Sequence, residues 1–556
     1  MPGWDYTTDL LLVGSGGGMV GALRAKALGK DAIVIEKTDM VGGSTGMSGG
    51  VVWIPNNPLM AREGVPDSFD EALTYFDTVV GPAADSSPAS STARRKTYLH
   101  RGIDMFAFLE TEGIQFRRCE GYSDYYSGVR GVEGGSARSR SIEAVVFDTN
   151  RLGTWAAHLR PPVAGWMNMY TGEAKSVSNL RTAKGMTAMT RVLARTASGR
   201  VRGKRYVTNG AALVAHLLSA LLKRDIPVWI NTTLVDLVVE EGRVVGAVLE
   251  RDGRTVRVRA RDGVLLAAGG FSRNPEMRAE FSANQPGRPE WSSANPGDTG
   301  EVIRIAMAHG AATDMMDEAW WIPSWITPSG KPAMTISERS KPGSIMVDSG
   351  GNRFTNEAAA YQETGQQMFA RELTAGGAIP SWLIIDSYHR SRYTFGFAPP
   401  GKFPKELLDS GTIKQSDTLE GLAEMCGIDA ETLCKNVSRF NGFAVTGIDE
   451  DFHRGEGDHE RYQGDITHKP NPSLGPIARA PFYAVQMYPG DIGTNGGLLC
   501  DENARVLTDA GEPIPGLYAA GNCTASVMGR KYLGAGATIG PSAIFAYVAA
   551  NHAAAE

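Results

Sequence analysis

Three things are scarce in this 556-residue chain, and each scarcity closes off a class of function. Cysteine is the first. The five residues Cys119, Cys426, Cys434, Cys500 and Cys523 are odd in number, scattered and without a Cys-x-x-Cys pair. That pattern excludes a disulfide framework, offers no zinc or iron–sulfur site and fits a reducing cytoplasm. Positive charge is the second: a net charge of −5 argues against nucleic acid as a partner, because phosphate binding needs a basic field. Long apolar runs are the third. Leu10–Val13 falls far short of the roughly 20 residues that span a bilayer. The start, Met-Pro-Gly-Trp-Asp-Tyr, has no basic region ahead of an apolar stretch, so no secretory signal is expected. Nine histidines show no metal-ligand spacing, and no metal is expected.

What is abundant is glycine, 67 residues clustered toward the two ends. The chain is longer than one hydrophobic core usually serves, so two or more domains are expected. Asp9–Val13 reads as a buried strand, Gly14–Gly18 as a tight turn, Met19–Leu28 as a helix and Ala32–Ile35 as a second strand, a βαβ opening. Helices are expected around Phe69–Val80, Arg95–Glu112 and Ala211–Lys223. A strand at Leu234–Glu240, a turn at Gly242-Arg243 and a strand at Val244–Glu250 read as a hairpin, followed by a buried strand at Gly263–Ala268. From about Asn274 to Phe482 the texture becomes mixed α+β, before Leu517–Ala520 returns to strand and glycine and Ile539–Ala549 closes as an apolar helix.

Gly14-Ser15-Gly16-Gly17-Gly18 sits between strand and helix, the context that makes a glycine run a dinucleotide site. The glycines allow the turn and the close approach of backbone to a pyrophosphate, and the helix N-terminus offers unpaired N–H groups. The strict third glycine position holds Met19 and the next glycine is Gly21, so either the helix packs less tightly on the sheet or the Gly16-Gly18-Gly21 frame carries that role. Glu36, followed by Lys37, ends the second strand, where an acid accepts hydrogen bonds from ribose. Further candidate contacts are Gly43-Ser44-Thr45, Ser48-Gly49-Gly50, Ala268-Gly269, Gly521-Asn522 and Ile539. Ser15 and Ser44 lie in glycine loops without a nucleophile-elbow context and are read as phosphate ligands. Contacts spread from Gly14 to Gly521 suit a long, buried FAD rather than a dissociating nicotinamide.

Taken together these elements resemble the flavoprotein family of fumarate reductases, succinate dehydrogenase flavoprotein subunits and 3-ketosteroid dehydrogenases. The resemblance implies an α/β fold with a Rossmann-like FAD-binding domain split between both chain ends, over 1–278 and 486–556, around an inserted α+β substrate domain at 279–485. It implies non-covalent FAD, since the family's covalent attachment uses a histidine that has no match in the N-terminal loop. The fumarate reductases carry a His-Thr-Met-Gly-Gly motif. Here Ile492 precedes Gly493-Thr494-Asn495-Gly496-Gly497 and the histidine is absent, although Arg530 is available nearby. Lys531-Tyr532-Leu-Gly-Ala-Gly536-Ala-Thr-Ile-Gly540 is similar to the C-terminal signature of the 3-ketosteroid Δ1-dehydrogenases, with Tyr532 and Gly536 at its carbonyl-binding positions. Arg353-Phe-Thr-Asn356-Glu357-Ala-Ala-Ala-Tyr361 resembles the stretch whose tyrosine is the catalytic base. Ser123-Asp124-Tyr125-Tyr126 resembles the aspartate–tyrosine–tyrosine motif; the relay tyrosine falls on Tyr125, with Tyr126 as the alternative.

The resemblance implies 1,2-dehydrogenation of a 3-ketosteroid. Tyr361 takes the C2 proton, flavin N5 takes the C1 hydride, and Tyr532 with the Gly536 N–H polarises the C3 carbonyl. Hydride transfer needs the cofactor, because no side chain accepts one. A phenol base, ordinarily titrating near about 10, needs its phenolate stabilised. The expected partners are the steroid and an electron acceptor, quinone-like or a redox protein. The alternatives are a fumarate-reductase-like reductase of an unsaturated ketone or acid, and a flavin- or sterol-binding protein without turnover. Two aromatic stretches stand apart. Trp320-Trp321-Ile-Pro-Ser-Trp325 suits core packing or the wall of a planar cavity. Arg151–Tyr206 interleaves Trp155, Trp166, Met167, Met169 and Tyr170 with basic residues, a composition compatible with a solvated insertion or with peripheral contact to an anionic membrane face.

Overall fold

The computed structural model describes residues 3–82, 87–161, 167–178, 180, 182–282 and 285–556. The chain opens with β1 (Tyr6–Val13), α1 (Gly18–Ala27) and β2 (Ala32–Ile35). Leu10, Leu11, Leu12 and Val13 are all buried, as a parallel strand covered on both faces requires. β1 pairs in parallel with β2, Leu10 opposite Ala32 and Val13 opposite Ile35. On its other edge it pairs in parallel with the strand Arg254–Leu266.

That long strand does two jobs. Its first half pairs antiparallel with Arg243–Arg251, which continues the hairpin from Thr232–Glu240. Its last residues, Val264–Leu266, pair in parallel with Leu517–Ala519 of the strand Pro513–Ala519. One eight-stranded sheet therefore joins strands from both ends of the chain. Helix α1 lies under it, buried from Gly18 to Leu23. Met19 is fully buried and Gly21 takes the close approach: a methyl there would come within 3.1 Å of both Ala546 O and the Leu265 side chain.

The middle of the chain builds a second, wholly antiparallel sheet, in the order Pro332–Met334, Ala319–Ile326, Phe482–Thr494, Ser381–Asp386, Ser344–Val347, with Ile413–Ser416 also on Phe482–Thr494. The strand Phe482–Thr494 runs through residue 485 and carries the second sheet up to the nucleotide-binding region. A third, three-stranded sheet joins β3 (Val51–Trp53) to Ser141–Ala144 and Phe116–Arg118. Among the described residues no helix is long and apolar enough to cross a membrane.

Candidate active site

The glycine turn after β1 packs against the helix that closes the chain, Ile539–Ala555. A methyl on Gly17 would come within 2.3 Å of the Ser542 hydroxyl and 2.6 Å of its carbonyl. Between them lies an apolar-walled cavity that Gly16, Gly17, Thr45, Ile539 and Ser542 help to line. At the start of α1 the Met19 and Val20 N–H groups bond back to Gly16 O and Gly17 O, and at the start of Ile539–Ala555 the Gly540 N–H bonds to Gly536 O and Pro541 carries none. What each end offers an anion is chiefly its dipole and its first N–H, that of Gly18 or Ile539.

The polar residues around this cradle hold one another. The Ser15 hydroxyl donates to Glu36 at 2.6 Å and accepts the Gly42 N–H at 2.7 Å. Glu36 also accepts from the Thr38 N–H at 3.1 Å. Ser44 donates to Asp298 at 2.9 Å and accepts the Asn295 N–H at 3.0 Å. Both serine hydroxyls are therefore engaged within the chain, and it is backbone N–H groups that remain to meet phosphate. Lys37 binds Thr299 and Glu301, each at 2.8 Å. The short helix α2 (Gly43–Met47) places Gly43, Ser44 and Thr45, and the turn after it, Ser48-Gly49-Gly50, is fixed by the Ser48 hydroxyl accepting the Gly50 N–H at 2.9 Å. On the far side, Ala268 and Gly269 end the long strand, with Gly269 against the Asp298 carboxylate. Gly521-Asn522 follows Pro513–Ala519, and Asn522 accepts the Trp320 indole N–H at 3.2 Å. This cradle, narrow enough to demand glycine and lined by helix N-termini, fits the ADP portion of FAD.

The three tyrosines singled out in the sequence come from three distant segments and meet in one buried cluster. Tyr361 is the first residue of the helix Tyr361–Ala375. Its ring lies 5.0 Å from that of Tyr532 and 5.3 Å from that of Tyr125, while Tyr125 stacks on Tyr532 at 5.4 Å. Tyr125 donates to the Tyr361 hydroxyl at 3.4 Å. Tyr126 turns away and donates to Glu363 at 3.1 Å. Trp320 stands edge-on to Tyr532 at 5.1 Å and so touches both the cluster and the candidate cofactor contact Asn522. Neighbouring residues on a strand face opposite ways, so Trp321 instead packs on Phe369, and Trp325 packs on Phe395.

Gly536 holds its place by conformation. Its φ is +98°, and a methyl there would meet Val51 O at 2.5 Å and Trp53 N at 2.6 Å. The Tyr125 N–H donates to Leu533 O at 3.0 Å, tying the two tyrosine loops together. Asp124 accepts the Trp53 indole N–H at 2.7 Å and pairs with Arg140 at 2.9 Å. A second clamp delivers Tyr361: Arg353 binds Glu357 at 2.8 Å and Asp449 at 2.6 Å, and Arg454 binds Glu357 at 2.9 Å.

Burial dominates the electrostatics. It raises the phenols of Tyr361 and Tyr125 well above 10, and each is raised further by the phenols beside it. Burial also raises Tyr532, but the Thr538 hydroxyl, Tyr361 and the Gly536 N–H oppose it. The Gly536 N–H thus lies beside the Tyr532 hydroxyl. Two residues of the cluster have no signature in the sequence. Tyr122 has its hydroxyl 3.5 Å from that of Tyr125, and His459 lies 4.2 Å from the Tyr125 ring, its imidazole pushed by burial down to about 3. Neither belongs to a chemical motif, and only the fold brings them in.

Residues 9–539 match the family model described as FAD binding domain. The chain is 42% identical to a 3-oxosteroid 1-dehydrogenase of Mycolicibacterium smegmatis, over 99% of this chain and 97% of that protein. It is 34% identical to a 4-oxocyclohexanecarboxylate 2-dehydrogenase of Sinomonas cyclohexanicum, over 98% and 92%. The crystal structure of 3-ketosteroid Δ1-dehydrogenase from Sterolibacterium denitrificans, in complex with 1,4-androstadiene-3,17-dione, superposes with a TM-score of 0.93 and 39% identity, covering 99% of each chain. A glycine cradle matched by that family model, and likeness along the whole length to dehydrogenases of cyclic ketones, make this chain an FAD-dependent oxidoreductase that belongs to the FAD-binding-domain family, in its 3-oxosteroid 1-dehydrogenase group.

Proposed function

We propose that the protein desaturates the first ring of a 3-ketosteroid between C1 and C2. The observation that carries this reading is the convergence of Tyr125, Tyr361 and Tyr532, with Gly536 on the same loop, beside the FAD cradle. Bound FAD supplies the hydride acceptor. Tyr532 and the Gly536 N–H hold the C3 carbonyl and stabilise enolate charge as it develops. Tyr361 takes the proton from C2, and Tyr125, hydrogen-bonded to it, steadies the phenolate and carries the proton onward. Tyr361 opens a helix, whose N-terminal end favours negative charge. An external acceptor, quinone-like or a redox protein, completes the redox balance. Residues 1–278 and 486–556 serve as the cofactor unit in this reading, and 279–485 presents the proton acceptor.

A dicarboxylate substrate is disfavoured by two features. Gly493 stands where a histidine would be needed, the nearby Asn495 is spent on Gly529 O at 2.7 Å, and Arg530 is paired with Asp317 at 2.8 Å and Glu318 at 3.1 Å. The deciding experiment is anaerobic: the FAD-loaded protein is mixed with a 3-ketosteroid or with 4-oxocyclohexanecarboxylate. Bleaching of the flavin by the steroid supports the reading. Bleaching by the small ketone alone would move the protein to that substrate class, and none with either would leave a binding protein.

A second reading concerns the insertion. Tyr170 is spent internally, its ring between the guanidinium groups of Arg117 and Arg195 at 4.3 Å and 4.2 Å, and Trp166 lies outside the described residues. The helix Ala183–Val201, however, buries Gly185, Ala188, Val192 and Thr196 and turns Met186 and Leu193 outward, 57% and 51% exposed, near exposed Lys184 and Arg191. Apolar side chains amid basic ones suit the surface of an anionic bilayer. Co-sedimentation with phosphatidylglycerol vesicles, lost in Met186→Glu/Leu193→Glu, is the expected result; no sedimentation of the parent protein sinks the idea.

A further inference from the structure

Buried arginines in this protein follow a rule. Arg140 pairs with Asp67 and Asp124, Arg353 with Glu357 and Asp449, and Arg278 with Asp491. Arg339 and Arg390 lack a carboxylate but are each held by several backbone oxygens. Arg94 breaks the rule. It is 2% exposed, near the start of the helix Thr92–Thr111, and of the five N–H groups a guanidinium carries one is bonded among the described residues, to Ala525 O at 3.3 Å. Its Nε has no partner, and its other neighbour is the face of Phe545 at 4.7 Å. The next residue, Arg95, is by contrast paired with Asp77 at 2.6 Å.

An uncompensated buried charge costs several kcal/mol unless something answers it. What Arg94 faces is a second cavity, which it lines with Trp320, Asn522, Thr524, Thr538 and Pro541. Thr538 and Pro541 flank the start of the closing helix, so a helix N-terminus and a guanidinium present positive potential to one small space. Asn522 and Trp320 connect that space to the cofactor cradle on one side and to Tyr532 on the other. A flavin that accepts a hydride gains negative charge at the carbonyl-bearing end of its ring, and fixed positive charge at that end favours the reduced form.

We infer that Arg94 is a positioning residue for the cofactor, the buried cation that answers the negative charge of reduced flavin and raises its reduction potential. The inference rests on the FAD reading alone and does not depend on the steroid. Its test is potentiometric titration of the FAD-loaded protein without any substrate, for the parent, Arg94→Gln, Arg94→Met and Arg94→Lys. The neutral variants are expected to lose at least tenfold in their preference for reduced over oxidised flavin, a drop of about 30 mV for a two-electron couple. Lysine, which keeps the charge, is expected to stay within threefold of the parent. Potentials of Arg94→Gln or Arg94→Met within threefold of the parent, in protein that still binds FAD, overturn the proposal, as does an equal drop in Arg94→Lys. If methionine prevents folding, the glutamine variant alone decides. A failed steroid assay leaves this result standing, because no steroid enters the measurement.

Discussion

At the scale of single residues, the phenol cluster makes distinct predictions for its members. Tyr361→Phe removes the proposed proton acceptor and is expected to lower kcat on the order of a hundredfold to ten-thousandfold while FAD stays bound. Tyr532→Phe removes one of the two proposed carbonyl donors, with an expected loss of about a hundredfold or more. Stopped-flow flavin reduction separates both from any change in cofactor content. Because burial first, and neighbouring phenols second, hold Tyr361 above 10, little phenolate exists at neutral pH. The rate constant for flavin reduction is therefore expected to climb with pH through the neutral range and on past pH 9; a flat profile there contradicts a phenolate base. That Tyr125, Tyr361 and Tyr532, singled out by their motifs, meet in one cluster is what the structure adds to those motifs. Tyr122 and His459 carry no such motif and join the cluster only through their contacts with Tyr125. The tryptophan stretch was legible as aromatic and no more, since strand alternation alone decides that Trp320 turns to the site.

At the scale of elements, the nucleotide turn and the Tyr361 clamp respond to different perturbations. Gly17→Ala drives a methyl into Ser542 on the closing helix, and the expected product is folded protein with a low 450-to-280 nm absorbance ratio. In the clamp, burial raises the Glu357 carboxyl, but Arg353 and Arg454 outweigh it and hold the group below its ordinary value. A carboxylate depressed on folding adds stability above its unfolded pKa of about 4.3, and that increment is lost as pH falls toward the folded value. Thermal melts of the parent are expected to decline below that pH, and Glu357→Gln to melt lower at pH 7 with a shallower acid decline. Elements with one clean period were readable, as in the helix Phe69–Val80. The central strands were hidden by proline. Ala319–Ile326 contains Pro323 and Phe482–Thr494 contains Pro489, a residue that argues against a central strand, yet the register sets the two opposite each other.

At the scale of the whole molecule, cofactor and fold are coupled. FAD binds the folded chain and not the unfolded one, so free FAD at a hundred times Kd stabilises by about 2.7 kcal/mol. Stripped protein is expected to melt several degrees lower than reconstituted protein, with the gap growing as FAD is added. The same coupling has a bearing on synthesis. The parallel partner of Arg254–Leu266 and the helix that walls the nucleotide turn lie within the last fifty residues or so, at Pro513–Ala519 and Ile539–Ala555. With translation running at about 5–20 residues per second, the ribosome delivers them long after the strand they complete. A complete flavin cradle is thus expected only once those segments have emerged, and a nascent chain stalled short of residue 513 leaves the Val264–Leu266 edge without its partner Leu517–Ala519, open to chaperones.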